Sequence, residues 1–211
     1  MTRTGSYVGP ATIRTLSWLI ALVGLVAAIA GPLYAVAGTA RAGDAVTVTV
    51  ELSAPGAIEP PQVRGLPAGA QVEALDGAQV QLSAPGATVL EQLLSRGDAA
   101  LLGLAIGAAA LLLRPVLSSV AAGRAFGGGN ARRLAQLAAV VVLAGEVGPL
   151  LPQLAAIAVL DRLQLIEPDS PFLVQLRFSL GPVLLLGALL LVLAEAFRQG
   201  ERLSSDVEGL V

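Results

Sequence analysis

The chain contains no cysteine, no histidine and no lysine, and only 13% of its 211 residues are charged. Each absence removes a class of chemistry. Without thiols there is no disulfide framework, and without Cys or His the usual zinc and iron ligands and imidazole acid–base catalysis are excluded. Without lysine, Schiff-base chemistry and a phosphate-cradling P-loop are excluded too. No cofactor is expected. A net charge of −2 gives no electrostatic footprint for direct nucleic-acid binding. Aromatic residues are scarce at 3%, yet the mean hydropathy is +0.78. The apolar character therefore comes from Leu, Ala and Val, accompanied by 24 Gly. An ordinary soluble domain is about 25% charged, so the composition points to the lipid bilayer as the partner of most of this surface.

Four apolar runs are long enough to cross a hydrocarbon core, which takes about 20 helical residues. The first, Leu16 to Ala37, is 22 residues without a charge and follows Arg3 and Arg14. Ala35-Val36-Ala37 has the small-residue character of a signal-peptidase site. The run exceeds the ~7–15 residues of a signal h-region, so an uncleaved anchor is expected. The second run, 99–120, is interrupted by Arg114, roughly 9 Å from its end by helix rise and within snorkelling reach of headgroups. The third, 134–160, contains Gly148-Pro149-Leu150-Leu151-Pro152, a sequence that predicts a kink. The fourth, 179–197, ends at Arg198. The expected fold class is an all-α membrane protein of four transmembrane helices.

Between the first two spans, 38–98 is polar and rich in Pro and Gly. Val46-Thr47-Val48-Thr49-Val50-Glu51-Leu52 and Ala78-Gln79-Val80-Gln81-Leu82 alternate at the period of half-buried strands. Both run into the hexapeptide Leu-Ser-Ala-Pro-Gly-Ala, at 52–57 and 82–87, whose Pro-Gly marks a turn. The reading is a small antiparallel sheet, with the repeated words explained by convergent turn chemistry. Thr88 to Arg96 predicts a short amphipathic helix with Val89, Leu90, Leu93 and Leu94 on one side, lying along the membrane surface.

Orientation follows from the short loop 121–133, which carries Arg124, Arg132 and Arg133 and no acid. Cytoplasmic loops are enriched in Arg and Lys, so this loop, the N-terminal segment 1–15 and the tail 198–211 are expected inside. Residues 38–98 and 161–178 are then outside. Glu146, in the third span, lies near mid-bilayer, where an ionisable group costs on the order of 2.5–3.5 kcal/mol on insertion scales. It must pair or stay protonated, and Arg114 is its natural candidate partner. In the tail, Leu203, Val207 and Leu210 share one helical face.

Two stretches resemble a known family. Gly123-Arg124-Ala125-Phe126 with Asn130-Ala131-Arg132-Arg133-Leu134 is similar to the loop between spans two and three of DUF2975, a family of bacterial four-span membrane proteins of unknown function. Ala194-Glu195-Ala196-Phe197-Arg198-Gln199-Gly200-Glu201-Arg202-Leu203, then Asp206-Val207-Glu208-Gly209-Leu210-Val211, resembles that family's closing signature. The three Gly after Phe126 depart from its pattern. The resemblance implies a bacterial plasma-membrane protein and no catalytic residue. Members often accompany a small helix-turn-helix regulator, so it implies a cytoplasmic partner. The docking candidates are Phe126, Asn130, Arg132, Arg133, Phe197, Arg198, Gly200, Leu203, Asp206 and Glu208.

The functional expectation is a non-enzymatic sensor or regulatory partner of a cytoplasmic factor. The alternative is a small transporter or channel subunit built on Glu146 and the broken third helix. An intramembrane enzyme would need a clustered nucleophile and base, and Glu146 with scattered hydroxyls does not make one.

Overall fold

The computed structural model describes residues 10–52, 66, 68–75, 79–127, 129–166, 170–173, 175–178 and 180–208, with the side chains of 10, 11, 74 and 205–208 excepted. Its elements are α1 (Pro10–Thr39), β1 (Val46–Leu52), β2 (Gln71–Ala74), β3 (Gln79–Ala84), α2 (Val89–Ser95), α3 (Gly97–Ala121), α4 (Asn130–Arg162), β4 (Phe172–Leu173) and α5 (Leu180–Glu208). Two compact units result. Met1–Ala30, Leu102–Gly145 and Ser179–Val211 form a helical unit, and Gly31–Leu101 with Glu146–Phe178 form a second that holds the sheet.

Four helices are long and apolar enough to cross a membrane: Thr12–Thr39, Gly97–Ala121, Asn130–Arg162 and Leu180–Ser204. Each expected run falls inside one of them, apart from residue 179, which lies outside the described residues. α4 continues as helix through both Pro149 and Pro152.

In the helical unit, small residues set the spacing. A Cβ on Gly24 would stand 2.2 Å from the Ala110 Cβ, and one on Gly107 would stand 2.6 Å from the Ala28 Cβ. α1 and α3 therefore run antiparallel with their backbones nearly touching, as membrane helices do when no side chain intervenes. α4 and α5 meet in the same way: Gly145 faces Val183 and Gly187 faces Val142. Bulky aliphatic side chains point away from these seams, among them Leu22 at 58% exposure, Leu185 at 63% and Val192 at 68%. A soluble protein rarely exposes so continuous an apolar surface.

The second unit is built like a small water-soluble domain. Its sheet is antiparallel in the order β2-β3-β1-β4. β1 pairs β3 from Val46 opposite Ala84 to Glu51 opposite Gln79, the two strands that alternation predicts. β2 and β4 are additions that the sequence reading lacked. Val46, Val48, Val50, Leu52, Val80, Leu82 and Ala84 turn inward onto Ala155, Ala156, Val159 and Leu160 of α4, with Phe172 and Leu165 closing the core. The apolar character of the last turns of α4 is thus satisfied by a protein core. The first copy of the hexapeptide lies outside the described residues beyond Leu52, whereas the second ends β3 and turns at Gly86, where φ is +69°.

Among the described residues, one edge of β1 is largely uncovered. Leu75 N–H donates to the Gln79 carbonyl at the β2–β3 turn, so alternation directs the backbone of 79, 81 and 83 toward β2 and that of 80, 82 and 84 toward β1. Val46, Val48 and Val50 therefore bond β3, while Thr47 and Thr49 face the far edge. β4 covers that edge only at Glu51 and Leu52. Proline at Thr49 should accordingly be tolerated. Proline at Val48 removes a ladder bond and strands a buried carbonyl, which should cost about 2 kcal/mol more. Thermal unfolding of the two variants in detergent checks this, and equal losses would refute the strand parity.

α4 ends in a Schellman motif. Leu165 N–H donates to the Leu160 carbonyl at 2.9 Å and Gln164 N–H to the Asp161 carbonyl at 3.0 Å. Leu160 and Leu165 pack together in the core. The motif puts its C′ residue in the left-handed region, and here that residue is Gln164, at φ 55°. Gln164→Gly should stabilise the protein by about 0.5–1 kcal/mol, with glycine's larger unfolded-state entropy offsetting part of the relieved strain. A chemical-denaturation midpoint that fails to rise would contradict this.

Candidate functional site

Three places carry polar groups whose arrangement exceeds what folding alone requires. The first is a cleft of about 410 Å³ in the sheet unit, running along the uncovered edge of β1. Thr47, Thr49 and Glu51 form one wall, and Pro152, Gln153 and Ala156 of α4 form another. Gln153 holds the segment leading out of β4 as a strand neighbour would: its Oε1 accepts from Arg177 N–H at 2.6 Å, and its Nε2 donates to the Arg177 carbonyl at 3.1 Å. The same Nε2 donates to the Pro149 carbonyl at 2.9 Å. The Arg177 guanidinium then pairs with Glu51, whose other oxygen accepts from Gln175 Nε2 at 2.7 Å. The cleft thus presents a fixed carboxylate, a guanidinium with 62% of its side chain exposed, and the backbone groups of Thr47 and Thr49.

A buried latch in the same unit supports it. Thr88 and Glu91 form a capping box: Glu91 N–H donates to Thr88 Oγ1 at 3.2 Å, and Thr88 N–H to Glu91 Oε2 at 2.8 Å. The remaining Glu91 oxygen accepts from Arg162 Nε at 2.8 Å, and Arg162 Nη1 donates to the Pro85 carbonyl at 3.1 Å. Gln92, also buried, donates to the Ala45 carbonyl at 3.4 Å. α2 occurs where the amphipathic pattern predicts it, but Glu91 and Gln92 face the protein while Val89, Leu90 and Leu93 face outward.

The second place is the junction of the 122–129 loop with α5, in the helical unit. The Phe126 and Phe197 rings lie 5.5 Å apart, tilted by 54°. A Cβ on Gly200 would fall 2.3 Å from the Phe126 ring, so any larger residue there displaces the ring. Asn130 is fully buried at the start of α4, its Nδ2 donating to Ser119 Oγ at 2.6 Å and to the Ala125 carbonyl at 2.9 Å. Its Oδ1 accepts from Arg133 Nη1 at 3.0 Å. The Glu201 carboxylate accepts from Ala131 N–H at 3.4 Å, placing negative charge at the N-terminus of α4, where the helix dipole favours it. Of the docking candidates, Phe126, Asn130, Arg133, Phe197 and Gly200 come together and hold loop to tail. Arg132, Arg198 and Leu203 are exposed, and Arg198 pairs with Glu195 at 2.8 Å. Asp206 and Glu208 lie on the last turn of α5, and their side chains fall outside the described residues. Glu201, absent from the candidates, carries the generic signal of an acid one helix away from an N-terminus, which sequence alone does not pair.

The third place is Glu146. Both carboxylate oxygens are buried without a hydrogen-bond partner among the described residues. Arg114 has its guanidinium over the Trp18 ring, 5.0 Å from the centroid. The described residues contain no cluster of three or more potential metal-ligating side chains. No protein-family model, no curated protein and no solved structure matches the chain.

Proposed function

We propose that this chain is a multi-pass bacterial plasma-membrane protein of the DUF2975 type, with both termini cytoplasmic, that senses at its outer sheet unit and presents its loop–tail junction to a small cytoplasmic helix-turn-helix regulator. The observation that carries this reading is the junction itself. Phe126, Phe197, Gly200, Asn130 and Glu201 order a cytoplasmic surface on which Arg132, Arg198 and Leu203 stay exposed. Leu203 is 67% exposed on a helix whose neighbouring residues are polar, the composition of a face that docks in a partner's groove. On the outer side, the backbone groups of Thr47 and Thr49 along the cleft suit an extended polypeptide that adds to the strand edge.

The test is a pull-down of the detergent-solubilised protein from its host, with the full chain beside one ending at Arg202. That end keeps Glu201, so the α4 cap survives while Leu203, Asp206 and Glu208 are lost. A helix-turn-helix protein recovered in stoichiometric amount with the full chain alone supports the reading. Equal recovery with both, or none with either, counts against it. The second reading, ion or solute transport, is favoured by one observation, the unpartnered Glu146 carboxylate. It requires Glu146→Gln to abolish activity and the shortened tail to leave activity intact.

A further inference from the structure

The α1–α3 seam of the helical unit carries two adjoining cavities that neither the sensing nor the docking reading uses. The upper one, about 360 Å³, is lined by Arg14, Ser17, Trp18, Arg114 and Ser118 among others. The lower one, about 570 Å³, is apolar, with Ala21, Leu22, Leu25, Leu104 and Leu111 in its walls, and it shares Trp18 and Arg114 with the first. No acid lines either cavity. Neither Arg14 nor Arg114 has a carboxylate partner among the described residues.

We infer that this seam binds one anionic phospholipid, its phosphate between Arg14 and Arg114 and one acyl chain in the groove below. The inference rests on the multi-pass reading, which places Arg14 and Arg114 at the cytoplasmic headgroup level. Two arginines lining one cavity without a counter-charge attract an anion, and guanidinium binds phosphate oxygens in forked pairs. The Trp18 ring holds the Arg114 guanidinium by a cation–π contact, so that donor is already oriented. The close approach at Gly24 and Gly107 leaves an apolar furrow beside the seam. Its lining runs along α1 from Trp18 to Ala28, about 15 Å by helix rise, which suits a stretch of hydrocarbon tail, whereas a free anion would leave it without use. Basic pockets between membrane helices on the cytoplasmic side take lipid headgroups in this way.

The test is native mass spectrometry of the delipidated full chain, titrated with phosphatidylglycerol, phosphatidylcholine or inorganic phosphate. The expected result is one phosphatidylglycerol bound at least tenfold more tightly than phosphatidylcholine. Arg14→Gln combined with Arg114→Gln should bring the two lipids to parity. Ala21→Trp, which fills the groove and keeps both arginines, should weaken phosphatidylglycerol at least fivefold. Undiminished selectivity in the double arginine variant would overturn the site. So would inorganic phosphate competing as well as the lipid does, because that identifies a free-anion site. Recovery of the protein in the soluble fraction after alkaline extraction of membranes would instead sink the multi-pass reading, independently of these affinities.

Discussion

Replacing Glu91 with alanine should destabilise the sheet unit by about 3 kcal/mol, the low end of the range for breaking a buried ion pair, because Arg162 retains some access to water. Glu91 is 3% exposed at its side chain and Arg162 is 27% exposed. Three interactions vanish together: the ion pair, the return half of the capping box, and the restraint that aims Arg162 Nη1 at the Pro85 carbonyl. Arg162 Nη2 already lacks a partner among the described residues, so without Glu91 only the Pro85 carbonyl remains as an acceptor for the guanidinium. Glu91→Leu combined with Arg162→Met should recover most of the loss, since removing both charges also removes their desolvation cost. Thermal unfolding in detergent, with protease sensitivity of the sheet unit as a second readout, separates these outcomes. A loss under about 1 kcal/mol, the size expected of an exposed pair, would mean that the latch is solvated.

Glu146→Leu should act with the opposite sign and raise stability by about 2–3 kcal/mol, on the scale that an ionisable group costs inside a bilayer. Its two oxygens accept no hydrogen bond among the described residues, so truncating them strands no donor. An ionisable side chain that weakens the fold without a bonding partner fits a functional site held at a stability cost. If Glu146→Leu instead lowers the melting temperature, the carboxyl has a structural partner and the transport reading loses its one supporting observation.

The parts of this fold that were legible in the sequence are those with a local period. The apolar runs locate the four long helices, and the alternation of Val and Thr in β1 and of Val and Leu in β3 gives the central antiparallel pair. The parts that were not legible depend on residues far apart in the chain. β4 is two residues whose pairing with Glu51 and Leu52 is decided about 120 positions away, and Phe172-Leu173 carries no periodic signal. β2 has only Val72 to mark an inward face, too little to distinguish it from loop. In α2, Thr88-Val89-Leu90-Glu91 is a readable capping box, but helical periodicity says nothing of which face turns inward. The polar face won here because Glu91 meets Arg162 across 71 positions.

The same distinction runs through the site residues. Phe126, Asn130, Phe197 and Gly200 were picked out through a resemblance, and their contacts give them a physical role: ring on ring, ring on glycine, and a buried amide joining three chain segments. Gly200 lets the Phe126 ring occupy the space that a Cβ would fill. Gln153 and Arg177, which shape the cleft along β1, were not foreseen. A glutamine in an apolar run is the one local hint, since a side-chain amide there must find polar partners.

The proposed topology puts the β-sheet outside the cell and the end of α5 inside. The absence of native cysteine makes this directly measurable. Thr49→Cys and Ser204→Cys place single thiols at exposed positions on β1 and α5, and a membrane-impermeant maleimide is applied to intact and then to permeabilised cells. The account predicts labelling at position 49 in intact cells and at position 204 only after permeabilisation. Labelling at 204 in intact cells, or protection of 49 until permeabilisation, would contradict it.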